Sequence, residues 1–223
     1  MTNDRWITFD CYGTLLDWQT AFRQILEPAA HGRVDELVEA FHEVAPDVEA
    51  KMQNALYKDI LHEGLRRSGE RAEIPLGEAD LDLLVREWHR IRAFDDTVEA
   101  LEELKRQGWK LGILTNCDND LFEATRDRLG VQIDLVVTAE EVKGYKPSFG
   151  HFTEFERRSQ AARANWVHAA VSWWHDMVPA KDLGLRCVWV DRENSGHDAS
   201  VVTARITSMA ELPAVTRRFL ESR

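Results

Sequence analysis

The sequence predicts an α/β protein: a parallel sheet with helices on both faces and a helical block inserted after the first strand. Three observations carry this. An apolar run, Trp6 to Phe9, reads as a short buried strand. From Phe94 onward, helix-like and strand-like segments alternate with short joints, the pattern of parallel strands joined by crossover helices. Between these two regions, from about Trp18 to Arg92, nearly every segment has helical spacing.

Within the helical block, Leu37, Ala40, Phe41 and Val44 form one apolar face at three and four spacing. The Ala45–Asp47 stretch, containing Pro46, predicts a helix break or restart. Ser68 to Asp80, polar and holding Gly and Pro, predicts a gap between helices. Asp80 to Arg92 resumes a helical period through Leu81, Leu84, Val85 and Trp88. Beyond it, the spacing predicts a helix over Thr97–Gln107, a strand over Lys110–Leu114 and a helix near Leu121–Leu129 that stops at Gly130. A strand over Leu135–Thr138, a helix around Phe149–Ala164 and a strand over Val167–Val171 follow. The last pair is a helix around Pro179–Leu183, ended by Gly184, and a strand over Cys187–Val190. The division is therefore residues 1–16 and 93–223 as the core and 17–92 as an inserted helical cap.

Composition narrows the function. A chain of 223 residues with 44% hydrophobic and 30% charged content buries a real core. Its formal net charge of -11 argues against a general nucleic-acid binder, because a phosphate backbone rewards Lys and Arg. There is no signal-peptide pattern and no run of the roughly 18 apolar residues that a membrane span needs. Cys11, Cys117 and Cys187 are odd in number and far apart, which fits a reducing cytoplasm better than a disulfide framework or a zinc site.

In open parallel sheets the ligand lies outside the carboxyl ends of the strands. The strand ends here carry, in order, Asp10; Thr115 and Asn116; "KGYKPS" with Lys143 and Lys146; and Ser172, Trp173, Trp174, His175 and Asp176. Two carboxylates, a hydroxyl with an amide, and an ammonium are thus expected in one crevice.

On "FDCYGTLLD", "ILTNCD", "KGYKPS" and "HDMVPAKDLGL" with "VWVDR", the sequence resembles the haloacid dehalogenase superfamily of hydrolases, over most of its length. The resemblance implies a Rossmann-like core, with the helical block as the small cap. Phosphatases of that superfamily carry Asp-x-Asp, whose second acid protonates the departing alcohol; here the second position is Tyr12. A tyrosine, with an ordinary pKa near 10, suits that task poorly, whereas a halide leaves without a proton. "DCYGTL" is similar to the 2-haloacid dehalogenase pattern. That branch implies attack by Asp10 on the halogen-bearing carbon, an aspartyl ester, and its hydrolysis by water.

By the same resemblance Lys146 sits beside Asp10 and favours its charged form. Thr14, Thr115 and Asn116 donate hydrogen bonds to Asp10 or to the substrate, Asp176 positions the water, and Ser172 supports it. Tyr12, His42 and Trp173 complete the substrate-binding set. No metal or cofactor is required; the partner is a small carboxylate substrate, and relatives form homodimers. Family members place an arginine over the halide. The matching position here falls near Phe41 and His42, with Arg23 or Arg33 as substitutes, and tryptophans stand where a fourth-motif asparagine is expected. A magnesium-dependent phosphatase, using Asp10, the Tyr12 carbonyl and Asp176, and a weakly catalytic ligand-binding member are the alternatives.

Simpler roles are expected for several neighbours. Gly13 allows a sharp turn. Cys11 alternates away from the site and reads as a core thiol, and Lys143 as solvated. Ser172, His175 and Asp176 are too close in sequence to converge as a triad, so His175 reads as a packing residue. The acidic Asp118–Asp120 stretch reads as helix N-terminal charge rather than a metal loop. Trp18 and one of Trp173 or Trp174 are expected to line the pocket.

Overall fold

A computed structural model describes residues 4–221. The chain begins with β1 (Trp6–Phe9) and β2 (Leu16–Asp17), then enters a helical block. The block contains α1 (Trp18–Leu26), α2 (Val34–Lys51), α3 (Tyr57–Ala72), α4 (Glu78–Leu81) and α5 (Leu83–Arg86). It closes at β3 (Arg92–Ala93), which pairs antiparallel with β2. There follow α6 (Thr97–Arg106), β4 (Lys110–Thr115), α7 (Asn119–Thr125), β5 (Leu135–Thr138), α8 (Ala139–Val142) and α9 (Gly150–Ser159). The chain ends with β6 (Trp166–Ala170), α10 (Val178–Asp182), β7 (Arg186–Val190), β8 (Ala204–Ile206) and α11 (Leu212–Glu221).

Six of the described strands form one parallel sheet in the order β5-β4-β1-β6-β7-β8. The chain builds outward from β1 through β4 to β5, then returns to β6 on the other side and continues to β8. The direction of winding switches between β1 and β6, so the ends of these two strands border the crevice where such sheets bind ligands. Side chains alternate in β1: Ile7 and Phe9 enter one apolar cluster, and Trp6 enters the other. The sheet is therefore buried on both faces, as the near-continuous apolar strands require.

The structure departs from the expected element boundaries where packing outweighs local preference. The helix does not break at Pro46: α2 runs through it. Phe41, Val44 and Val48 are buried on either side of the proline, and that burial outweighs a proline cost of about 3 kcal/mol. The expected gap at Ser68 is instead helix until Ala72. Ser68 returns its hydroxyl to the Gly64 carbonyl (2.6 Å), and a Cβ at Gly64 would lie 2.9 Å from the Phe41 ring, so the small residues let α3 approach α2. The segment over Asp80–Arg92 is two short helices and a 3₁₀ turn rather than one helix. α9 stops at Ser159, where Gln160 adopts a left-handed conformation, and not at Ala164. β6 begins one residue earlier than expected, and β8 and α11 had no sequence counterpart.

The helical block sits on the core through the loop after β4. Asp118, fully buried, accepts hydrogen bonds from the Tyr57 and Lys58 N–H groups (2.9 Å each), capping α3 from outside the block. Lys58 reaches Asp120 (2.7 Å), and the Tyr145 hydroxyl donates to the Ala55 carbonyl (2.7 Å). The acidic stretch thus serves a helix N-terminus, but chiefly that of α3. No described helix is long and apolar enough to cross a membrane. Replacing Asp118 with Ala should cost about 1 to 2 kcal/mol, the loss of a helix cap, measured as a lower urea midpoint with unchanged slope.

Candidate active site

Asp10 leaves the end of β1, and the chain then folds sharply over Cys11 to Leu15. Gly13 takes φ +94°, and a Cβ there would lie 3.1 Å from the Trp18 indole nitrogen, so the turn needs glycine on both counts. The turn brings Thr14 back to Asp10: its hydroxyl donates to Asp10 Oδ2 (2.9 Å) and accepts from the Val171 N–H (3.0 Å). The loop after β1 is thereby fixed to the end of β6.

Lys146 is buried beneath Asp10. Its ammonium donates three hydrogen bonds: to Asp10 Oδ1 (2.8 Å), Asp176 Oδ1 (2.7 Å) and the Leu114 carbonyl (2.8 Å). Burial alone would lower its pKa, but the two carboxylates raise it above the ordinary lysine range. Burial would likewise raise the Asp176 carboxyl, but Lys146 and His168 outweigh it and hold it at about 2. The Asn116 amide clamps the lysine backbone, accepting from the Lys146 N–H (2.7 Å) and donating to its carbonyl (3.2 Å).

A buried polar chain supports Asp176 from behind. Trp166 Nε1 donates to the Thr8 hydroxyl (2.7 Å), which lies 2.8 Å from His168 Nδ1, while His168 Nε2 lies 3.0 Å from Asp176 Oδ1. The indole only donates and the carboxylate only accepts. His168 therefore carries a proton on Nε2 toward the carboxylate, and the Thr8 hydroxyl has both Nδ1 and the Val167 carbonyl (3.5 Å) within reach. Thr8 and His168 are register partners across β1 and β6. Asp176 Oδ1 is thus used twice, whereas Oδ2, equally buried, has no hydrogen-bond partner.

These groups border a cavity of about 170 Å³ between the sheet and the helical block. Asp10, Thr115, Asn116, Lys146, Ser172 and Asp176 line the sheet side, and Trp18, Phe22, Glu49, Tyr57 and Trp88 the helical side. Tyr12 lines it too, but its hydroxyl is engaged: Trp88 Nε1 donates to it (2.9 Å), and Thr125 Oγ1 and the Leu121 carbonyl lie at 2.9 and 3.2 Å. Burial pushes this phenol well above its usual pKa. The Thr115 hydroxyl turns to Cys117 Sγ (3.5 Å), so it does not reach Asp10. Ser172 accepts from the His175 N–H (3.1 Å), capping the turn that carries Asp176.

Two expected substrate contacts lie elsewhere. His42 packs edge-on against Trp18, is exposed, and borders a neighbouring outer cleft rather than the Asp10 cavity. Trp173 stacks on His197 (4.7 Å) and meets Trp189 edge-on (5.0 Å), which turns it into packing and off the cavity. Arg33 pairs with Glu36 away from the site, and Arg23 pairs with Asp35; Arg23 does not line this cavity but does line the adjoining cleft that also reaches Asp10. Trp174 is exposed, Cys11 is a buried core residue and Lys143 is exposed.

Glu49, His168 and His175 were missed as site residues. His168 could have been found, since it interrupts the apolar run "WV-AAV" inside a strand. His175 lines the cavity instead of merely packing, and Glu49 gave no local signal at all.

Removing the ammonium should expose the cost of this site. Lys146→Met leaves buried carboxylates without their counter-charge and should destabilise the fold by about 3 to 5 kcal/mol in urea titration. The stability contributed by Asp176 is full above the unfolded carboxyl value of about 3.9. It is lost as pH falls toward its folded value of about 2. Acid unfolding followed by circular dichroism should show this loss, and Asp176→Asn should lack it.

With this geometry in hand, the comparisons are specific. Residues 5–168 match the family of haloacid dehalogenase-like hydrolases. The (S)-2-haloacid dehalogenase of Pseudomonas putida is 23% identical over 206 residues, 89% of either chain. The ribulose-1,5-bisphosphate 5-phosphatase of Halopiger xanaduensis is 32% identical over 133 residues, 59% of this chain and 54% of that one. The L-2-haloacid dehalogenase of Xanthobacter autotrophicus superposes with a TM-score of 0.83 at 19% identity, covering 96% of this chain and 98% of the other. That enzyme has also been solved with chloropropionic acid covalently bound, again at a TM-score of 0.83 (18% identity, 96% and 98% covered). The lone strand-end carboxylate, its shared lysine and the matching sequence span together place this chain in the haloacid dehalogenase-like hydrolase family.

Proposed function

We propose that this protein is a hydrolase of the 2-haloacid dehalogenase type, displacing halide from a small 2-haloalkanoic acid through an ester on Asp10. The observation that carries the reading is a carboxylate held by Lys146 and Thr14 at the cavity floor, with no acid at position 12 free to protonate a leaving group. Asp10 attacks the substrate carbon, the carbon–halogen bond breaks, and halide departs with the bonding pair. Water then adds to the Asp10 carbonyl carbon, and the ester opens to the 2-hydroxy acid and the free carboxylate. Lys146 holds Oδ1 and Thr14 holds Oδ2, so whichever of them is on the oxygen that did not attack stabilises the oxyanion of that second step, and the second proton of the water leaves to solvent. Asp176, strongly acidic in this setting, orients the water through Oδ2 rather than acting as a strong base.

The helical block, residues 17–92, serves in this reading as the cap that shuts the cavity from bulk water. Ser172 and the second amide proton of Asn116 are the polar contacts for the substrate carboxylate. The finer expectations of a cytoplasmic homodimer belong to the same proposal, and three buried free cysteines support the reducing compartment.

The partial likeness to a sugar-phosphate phosphatase keeps a magnesium-dependent reaction as the second reading. The donor set fits it poorly. Among the described residues, no three His, Cys, Asp or Glu side chains gather where a cation could be held, and Lys146 bridges both site carboxylates.

Halide release from 2-chloropropionate with EDTA present is the expected result; phosphate-ester hydrolysis only with magnesium would support the second reading instead. Asp10→Asn should lower turnover at least about a thousandfold, ~4 kcal/mol of barrier. A single turnover in heavy-oxygen water should label the peptide containing Asp10, and an unlabelled peptide would rule out the ester.

A further inference from the structure

The proposed displacement has a direction. Asp10 stands at the end of the sheet, so a group leaving in line with its attack moves toward the helical side of the cavity. That wall is mostly apolar. Phe22 offers no donor, and the Trp88 N–H is already given to Tyr12. Lys146 is the only Lys or Arg lining the cavity, and all three of its protons are committed below Asp10. Within this cavity a departing anion meets no uncommitted Lys or Arg among the described residues; Arg23 lines the adjoining cleft that also reaches Asp10, where it is paired with Asp35, and the polar groups on the helical wall are the Trp18 indole, Glu49 on α2 and Tyr57 on α3.

Glu49 is an unusual residue for such a wall. Its side chain is 22% exposed, and its one ion-pair contact among the described residues is His175 Nε2, 3.8 Å from Oε2. An ionised carboxylate there would repel both the substrate and the anion. We infer that Glu49, as a neutral carboxylic acid, is the hydrogen-bond donor that receives the departing halide, so that its contribution to turnover rises with the leaving group's strength as an acceptor, from bromide to chloride to fluoride. The identity of the anion rests on the dehalogenase reading; the donor itself does not.

The surroundings hold the proton on Glu49. Burial raises its pKa to about 7, against the pull of Lys146. From the turn after β6, His175 faces it, and burial and then Lys146 lower that imidazole below its usual value. Asp10 and Asp176 lie below on the sheet side, Tyr57 faces it from α3 and Tyr145 from the Lys146 loop, and His42 shares its helix and the outer cleft. Hydrogen halides, hydrogen fluoride included, are stronger acids than this carboxyl. The proton therefore stays on Glu49 and no bond to it breaks. Below about pH 7 the group donates; above it the carboxylate repels.

Halide binding to the resting protein tests this without turnover. Trp18 and Trp88 line the cavity, so their fluorescence reports on titrations with sodium fluoride, chloride and bromide at constant ionic strength. Affinity should be about tenfold greater at pH 6 than at pH 8, the ratio of protonated Glu49. Glu49→Gln, still a donor, should bind halide with no pH dependence. Glu49→Leu should lose binding, and its ratio of fluoride to bromide release from paired substrates should fall below that of the parent. A flat pH dependence in the parent would overturn the assignment, and a dependence that survives in Glu49→Gln would overturn it and implicate His175. Halide binding as expected without turnover of any 2-haloacid would sink the dehalogenase reading and leave the halide donor standing.

Discussion

One buried ammonium organises this protein. Lys146 lies between Asp10 and Asp176, and none of the three charges is tolerable alone in the interior. The architecture around it follows from that constraint. Asn116 fixes the lysine backbone, and the Leu114 carbonyl takes its third proton. His151 supports the next carbonyl in β4, that of Thr115, at 3.0 Å. Behind Asp176, the Trp166–Thr8–His168 chain extends the network along one face of the sheet, into the apolar cluster of Trp6 and Trp166. Carboxylate reactivity and fold stability therefore share the same atoms.

The arrangement also explains why a tyrosine is acceptable two residues after the nucleophile. Its hydroxyl is absorbed by Trp88, Thr125 and Leu121, and its ring meets Trp88 at 4.8 Å. Position 12 has become a seam between the sheet and the helical block rather than a chemical group. Likeness to dehalogenases extends over nearly the whole chain, but identities near 20% fix the backbone and not the pocket.

The core and the catalytic floor were legible in the sequence because they obey local rules. Strand–helix alternation gives the sheet, and the sheet gives a place to look for Asp10, Lys146 and Asp176. Thr14 followed from the family resemblance of "DCYGTL" and not from a local rule. The helical block was less legible: Pro46 and Ser68 signal breaks that the packing of α2 against α3 overrides. His42 and Trp173 were assigned by position alone, and a rotation of one helical step or one turn residue decides which cavity a side chain enters. Glu49 was invisible because a glutamate on an amphipathic helix ordinarily faces water. Only the approach of α2 to the loop of His175 shows otherwise. The three-residue last strand is too short to show a period, whereas the last helix does carry one, through Leu212, Val215 and Phe219.

The loop from Thr115 to Asp120 has two duties. One end carries the amide that grips Lys146, and the other carries the carboxylate that caps α3. The two parts of the molecule are thus not interchangeable modules cut cleanly at Asp17 and Arg92. A chimera that borrowed the helices of a relative would inherit a mismatched docking point unless this six-residue segment travelled with them. For anyone transplanting specificity between such enzymes, the natural graft border includes a piece of chain that begins 23 residues beyond the seam at Arg92.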